Sequence, residues 1–196
     1  MPTRRAKCAV LAVVLCFAAM WAQVPYAQSP AKIGGPFQLL DQNGRPVSDA
    51  TYRGKPALVY FGFTSCPDVC PTDLARIARI ARSVRKLGGP ELTPIFITVD
   101  PERDDPARMK VYVRRFGSDF VGLTGSAEQI RSVSDLYHVY YKKVPFEKHD
   151  AYTMDHSTFL FLVDRDGNYL DHFGRAAGET EVSQDILREL APSTRK

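Results

Sequence analysis

Ala57-Leu58-Val59-Tyr60-Phe61-Gly62-Phe63-Thr64-Ser65-Cys66-Pro67-Asp68-Val69-Cys70-Pro71-Thr72-Asp73 decides the fold. Residues 57–63 form an apolar run of strand length. After the cysteines the spacing changes. Leu74, Ile77, Ala78, Ala81, Val84 and Leu87 recur at helical intervals, with Arg76, Arg79, Arg82 and Arg85 on the wet side. A buried strand therefore ends just before Cys66, and a helix begins around residues 70–72. Pro71 suits a first helical position, where its missing N–H would have had no intrahelical partner. Two cysteines thus stand four positions apart on a strand-to-helix turn. The N–H groups of a helix start favour negative charge. That favours thiolate, the form of sulfur that attacks disulfides and binds metals. The site lies at the C-terminal end of a strand, where open α/β sheets place their chemistry.

Upstream, Gln42-Asn43-Gly44 separates two short extended segments, a turn signal that predicts a small N-terminal β-hairpin. Downstream, residues 93–99 read as a second buried strand, and residues 106–116 as a helix closed by Gly117. Residues 121–125 read as a short strand or extended turn. Ser126 caps a helix reaching about Tyr137. Residues 142–153 read as a polar loop of the length that tends to be functional or mobile. Residues 158–163 are a third strong strand, turned by Asp166-Gly167-Asn168 into a hairpin partner at 169–173. Residues 181–190 form the last helix. Parallel strands joined by a helix, with an antiparallel pair added, make an α/β, thioredoxin-like fold: a central mixed β-sheet flanked by helices.

The 196 residues carry a net charge of +4. Arg4, Arg5 and Lys7 supply three of these charges without an acid before residue 29, so the remainder is only +1 (4 less 3). That excludes a broad nucleic-acid surface, and no basic stripe appears in the folded part. The same basic start leads into an uncharged stretch, residues 8–22, of signal-peptide size. Residues 1–28 are thus expected to be a signal peptide or N-terminal membrane anchor, residues 29–36 a linker, and residues 37–196 the domain. Cys8 and Cys16 read as small apolar fillers of the targeting segment. Only Cys66 and Cys70 then remain in an exported chain. A structural disulfide framework uses several dispersed pairs. One close pair on a turn reads as redox-active or metal-binding instead.

Of the four histidines, His156 stands apart, because Tyr152-Thr153-Met154-Asp155-His156-Ser157 leads directly into the third strand. In a thioredoxin-like sheet the entry of that strand lies beside the cysteine turn. One imidazole and two thiolates make a site suited to copper: thiolates favour Cu(I), and imidazole suits Cu(I) and Cu(II). Asp155 reads either as an outer group of that site or as a turn cap. Residues 99–104, Val-Asp-Pro-Glu-Arg-Asp, read either as lining the site's mouth or contacting a partner, or as capping the next helix. A threonine and arginine around one thiol, as peroxiredoxin-like chemistry needs, are not evident.

On these residues the chain resembles the Sco/SenC family of thioredoxin-like copper proteins. The matching text is the 60–71 segment, the 99–104 segment, Gly122-Leu123-Thr124-Gly125, Tyr137-His138-Val139-Tyr140-Tyr141, Asp155-His156-Ser157 and Phe173-Gly174. It spans about residues 34–190. The resemblance implies copper ligands at Cys66, Cys70 and His156. It also implies a protein in the periplasm, or on the outer face of the inner membrane, that helps metallate the CuA domain of cytochrome c oxidase subunit II. A retained N-terminus would add membrane association. The alternative is a thiol–disulfide oxidoreductase that reduces the CuA cysteines or another exported protein. Cys66 would then attack and Cys70 resolve, with no need of His156. Other periplasmic copper or thiol-redox proteins are the further partners of either reading.

Overall fold

The structure, a computed structural model, describes residues 32–147 and 151–191. The targeting segment expected at residues 1–28 and the start of the expected linker lie outside them. No helix among the described residues is long and apolar enough to cross a membrane. The described residues from Ile33 onward form one compact unit.

Its centre is the strand β3 (Ala57–Gly62), every residue of which is buried. On one side β3 pairs in parallel with β4 (Thr93–Thr98), and β4 in parallel with β5 (Val121–Thr124). On the other side it pairs antiparallel with β8 (Leu160–Val163), which turns into β9 (Tyr169–Phe173). The hairpin of β1 (Gln38–Asp41) and β2 (Pro46–Ser48) adds antiparallel to β5. Among the described residues this is a seven-stranded sheet of order β2-β1-β5-β4-β3-β8-β9. The central strands carry near-continuous apolar runs because both of their faces are covered.

Among the described residues four α-helices flank the sheet: α1 (Val69–Lys86), α2 (Pro106–Val113), α3 (Ala127–Leu136) and α4 (Glu179–Glu189). Leu74, Ile77, Ile80 and Val84 of α1 are buried, as the spacing predicts. Burying side chains of this size stabilises by roughly 1.5–3 kcal/mol each. α1 begins at Val69, so Pro71 is its third residue rather than its first. The position is harmless, because the first N–H groups of a helix have no partner within it. The expected linker reaches this unit at its end: the Gly34 N–H donates to the Leu136 carbonyl at 2.7 Å.

The N-terminal hairpin turns where Asn43-Gly44 predicts, but only Gly44 takes positive φ, at 76°. Asp41 explains the difference. Its Oδ1 accepts the N–H groups of Asn43 and Arg45 at 2.8 and 2.9 Å, and its Oδ2 accepts Arg45 Nε at 2.8 Å. Burial alone would raise the Asp41 pKa, but the Arg45 N–H, the Arg45 guanidinium and the Asn43 N–H outweigh it and hold the carboxyl below 3.8. A depressed folded-state pKa means stability that is full above the unfolded pKa and lost as pH falls through the folded one. Asp41→Asn should therefore lower Tm at neutral pH and flatten its fall below about pH 4. Melting both chains across the acid range checks this.

The largest departure from expectation is at residues 142–153. Residues 142–145 and 152–153 lie in strands rather than in a loop. β6 (Tyr141–Pro145) pairs antiparallel with β7 (Tyr152–His156) as a separate two-stranded hairpin, with Tyr141 opposite His156.

Candidate metal centre

β3 ends at Gly62, and residues 63–68 carry the chain into α1. Cys66 lies on this bend, half-buried, and Cys70 lies in the first turn of the helix, fully buried. Both are free thiols. Cys66 Sγ accepts the Cys70 N–H at 3.3 Å, so the sulfur satisfies a donor that the helix start leaves unpaired. The Cys66 thiol is pulled well down, first by a hydrogen bond from Cys70, then by the His156 ring and the N–H groups of Cys70 and Asp68. The Cys70 thiol is pushed up by that same bond to Cys66 and by burial. The pair therefore shares one proton, with the negative charge on the more exposed sulfur.

His156 ends β7 and brings the third side chain. Its Nε2 stands 3.5 Å from Cys70 Sγ, and its Nδ1 is 2.9 Å from the Ser157 carbonyl. A carbonyl only accepts, so Nδ1 carries a proton and Nε2 is the nitrogen aimed at the sulfurs. The ring lies edge-on to Phe63 and Tyr60, with centroids 5.8 and 6.4 Å away. A tetrahedral ion ~2.3 Å from sulfur and ~2.0 Å from nitrogen sets those two atoms about 3.5 Å apart. The Cys70–His156 spacing fits that geometry. Among the described residues, however, no group of three or more His, Cys, Asp and Glu side chains is already set at metal-holding spacing.

Cys70 and His156 thus meet across 86 residues of sequence, with Cys66 bonded to the Cys70 N–H beside them. Asp155 does not join them. As its neighbour in a strand it projects from the opposite face, and it is exposed. His172 packs on Phe161 and meets the Tyr169 hydroxyl, away from the site. His138 adopts φ 53° just beyond α3, and His149 lies outside the described residues.

Three supports of the site are not singled out by sequence reasoning. Gly62 sits directly under it: a Cβ there would lie 2.8 Å from Cys70 Sγ and 2.9 Å from the Phe96 ring. Asp104, fully buried, accepts the Thr64 N–H at 2.9 Å, the Thr64 hydroxyl at 2.5 Å and the Thr98 hydroxyl at 2.6 Å. The helix cap is instead Asp105, which accepts the Arg108 N–H at 2.7 Å. Beneath Cys70, the buried Tyr60 hydroxyl donates to Asp73, which Arg175 meets from the loop after β9. Arg108 Nε also donates to Thr64 Oγ1 at 2.7 Å, so a threonine and an arginine do stand beside Cys66. The Thr64 hydroxyl gives its proton to Asp104 and so has none for that sulfur.

Comparison with known proteins accords with this geometry. The SCO1/SenC family model matches residues 25–191. An SCO2-like protein of Rickettsia prowazekii is 46% identical over 159 residues, covering 81% of this chain and 77% of the relative. The structure of Bradyrhizobium japonicum ScoI with copper bound is 47% identical with a TM-score of 0.71, covering 81% of this chain and 99% of that one. Arabidopsis thaliana ScoI with copper bound superposes with a TM-score of 0.77 at 38% identity, covering 80% and 97%.

Proposed function

This chain belongs to the SCO1/SenC family, and we propose on that premise that it is a copper-binding chaperone for the assembly of cytochrome c oxidase. Cys66, Cys70 and His156 are the proposed ligands, and the CuA domain of subunit II is the proposed recipient. The observation that carries the reading is the His156 ring, which reaches Cys70 from a separate hairpin at 3.5 Å. Disulfide exchange proceeds on the two sulfurs alone, whereas a metal site takes the imidazole as a ligand. Copper is cargo here. Cu(I) is held mainly by the two thiolates and leaves by ligand exchange to another sulfur-rich site, while Cu(II) takes the imidazole as well. Ligation displaces the proton the two sulfurs share, so loading releases it. Residues 1–28 act as an export signal or anchor ahead of the domain, which places the domain in the periplasm or on the outer face of the inner membrane.

A second reading, thiol–disulfide exchange, is favoured by the unequal sulfurs. The exposed Cys66 thiolate attacks a partner disulfide and expels one partner thiolate. Cys70 gives up its proton and attacks Cys66, which releases the second. The products are a Cys66–Cys70 disulfide and a partner dithiol, with two electrons transferred.

Titrating the reduced chain with copper distinguishes the two. About one equivalent should bind. Cu(II) should give sulfur-to-copper charge-transfer absorption, Cys66→Ser should abolish it, and His156→Ala should alter it. An unchanged His156→Ala spectrum removes that residue from the site. A wild-type chain that binds no copper but reduces a disulfide substrate leaves only the second reading.

A further inference from the structure

We propose that the turn at residues 100–104 is a strut that fixes how far His156 stands from the two sulfurs, with Arg103 as the positioning residue that clamps the β6–β7 hairpin. The inference rests on the copper reading above and adds a control point to it.

The hairpin shares no ladder with the seven-stranded sheet, so β-pairing does not set its position. At its root the chain is tied by Ser157 N–H to the Tyr140 carbonyl at 2.9 Å. Further along, the 100–104 turn takes over. Arg103 Nε donates to Asp100 Oδ2 at 2.5 Å, and its Nη1 donates to the Tyr152 carbonyl at 2.9 Å. The guanidinium lies 3.7 Å above the Tyr152 ring and 5.8 Å from that of Phe63. The Tyr152 hydroxyl returns to Asp100 Oδ1 at 2.8 Å, closing the circuit. Asp100 is buried, and Arg103 is only 26% exposed along its side chain. Contacts this dry hold geometry better than surface ion pairs do. The exposed Lys143–Glu102 pair beside them adds little.

Tyr152 and His156 lie on one strand and face the same way, four residues apart. Whatever fixes the Tyr152 backbone therefore fixes the imidazole. The same short turn holds the other half of the site through Asp104 and Thr64. One turn thus spans both ligand carriers, with separate residues for each. Releasing Arg103 should free the imidazole and leave the sulfurs in place. Cu(II), which takes the nitrogen, should suffer more than Cu(I), which two thiolates sustain.

Arg103→Met keeps the aliphatic stem and removes the fork. In the reduced, metal-free chain, nuclear Overhauser contacts between the His156 and Phe63 rings should weaken. With copper, Cu(II) retention should fall roughly tenfold, the size of effect that orienting groups around ligands have, and its spectrum should approach that of His156→Ala. Cu(I) retention should change less. Combined with His156→Ala, Arg103→Met should add nothing further to Cu(II) loss. Tyr152→Phe, which removes only the bond to Asp100, should act in the same direction more weakly, and it decides the matter if Arg103→Met does not fold. Wild-type ring contacts in a folded variant overturn the strut, as does equal loss of Cu(I) and Cu(II). The metal-free measurement stands even if the chain binds no copper, so failure of the strut and failure of the copper reading give different results.

Discussion

Gly62→Ala should cost the fold about 1–3 kcal/mol, as insertion of a methyl into a packed core does, and should weaken copper binding roughly tenfold or more. Gly62 closes β3 in the middle of the sheet, with ordinary extended backbone. The penalty is therefore steric. The new methyl would meet Cys70 Sγ at 2.8 Å, Phe96 at 2.9 Å and Tyr60 at 3.2 Å, closer than carbon and sulfur tolerate. Phe96 and Tyr60 are core rings without room to retreat. Cys70 can turn, but turning takes its sulfur from the 3.5 Å contact with His156. Thermal melting reads the first loss and copper competition the second. Pairing the change with Phe96→Leu relieves the ring and should recover Tm in part, without recovering copper. An alanine variant that melts and binds like the wild type would show that Gly62 is not what makes room for the sulfur.

The parts of this protein that are legible in its sequence are those whose causes are local. Residues 57–63 and 94–97 are apolar runs because they lie inside the sheet, and α1 shows its buried stripe because one face meets the core. Asn43-Gly44 marks its turn, though Asp41 decides the turn's form. Cys66 and Cys70 announce a site by spacing, and His156 by standing before β8. Residues 142–153 hide a hairpin because β6 carries Lys142 and Lys143 and is largely exposed, and β7 is only partly buried, so no alternation appears. What holds that hairpin is 49 residues away, in Arg103. The 99–104 segment is misleading for the same reason. Asp104 stands next to a true helix cap, Asp105, and its own partner, Thr64, is 40 residues back.

That distance makes Asp104 the second severe position. Asp104→Ala should destabilise the chain by about 3–5 kcal/mol, the range for removing one partner of a buried charged network. At this chain length that corresponds to a Tm lower by roughly 6–20 °C. Three donors converge on this carboxylate, from the Thr64 N–H, the Thr64 hydroxyl and the Thr98 hydroxyl. Alanine offers them nothing, and a buried donor without a partner costs about 1–3 kcal/mol. Asp104→Asn keeps the volume but turns an amide N–H₂ toward one of those donors, so it should fall between alanine and wild type. Thr64 is two residues from Cys66, and its loss of anchorage frees the bend that carries the exposed sulfur. Copper binding to Asp104→Ala should therefore weaken for Cu(I) and Cu(II) alike, unlike the selective loss expected at Arg103. A calorimetric melt near that of the wild type would refute the role of Asp104 as the bend's anchor. A normal melt would mean that these three donors find partners elsewhere once the carboxylate is gone.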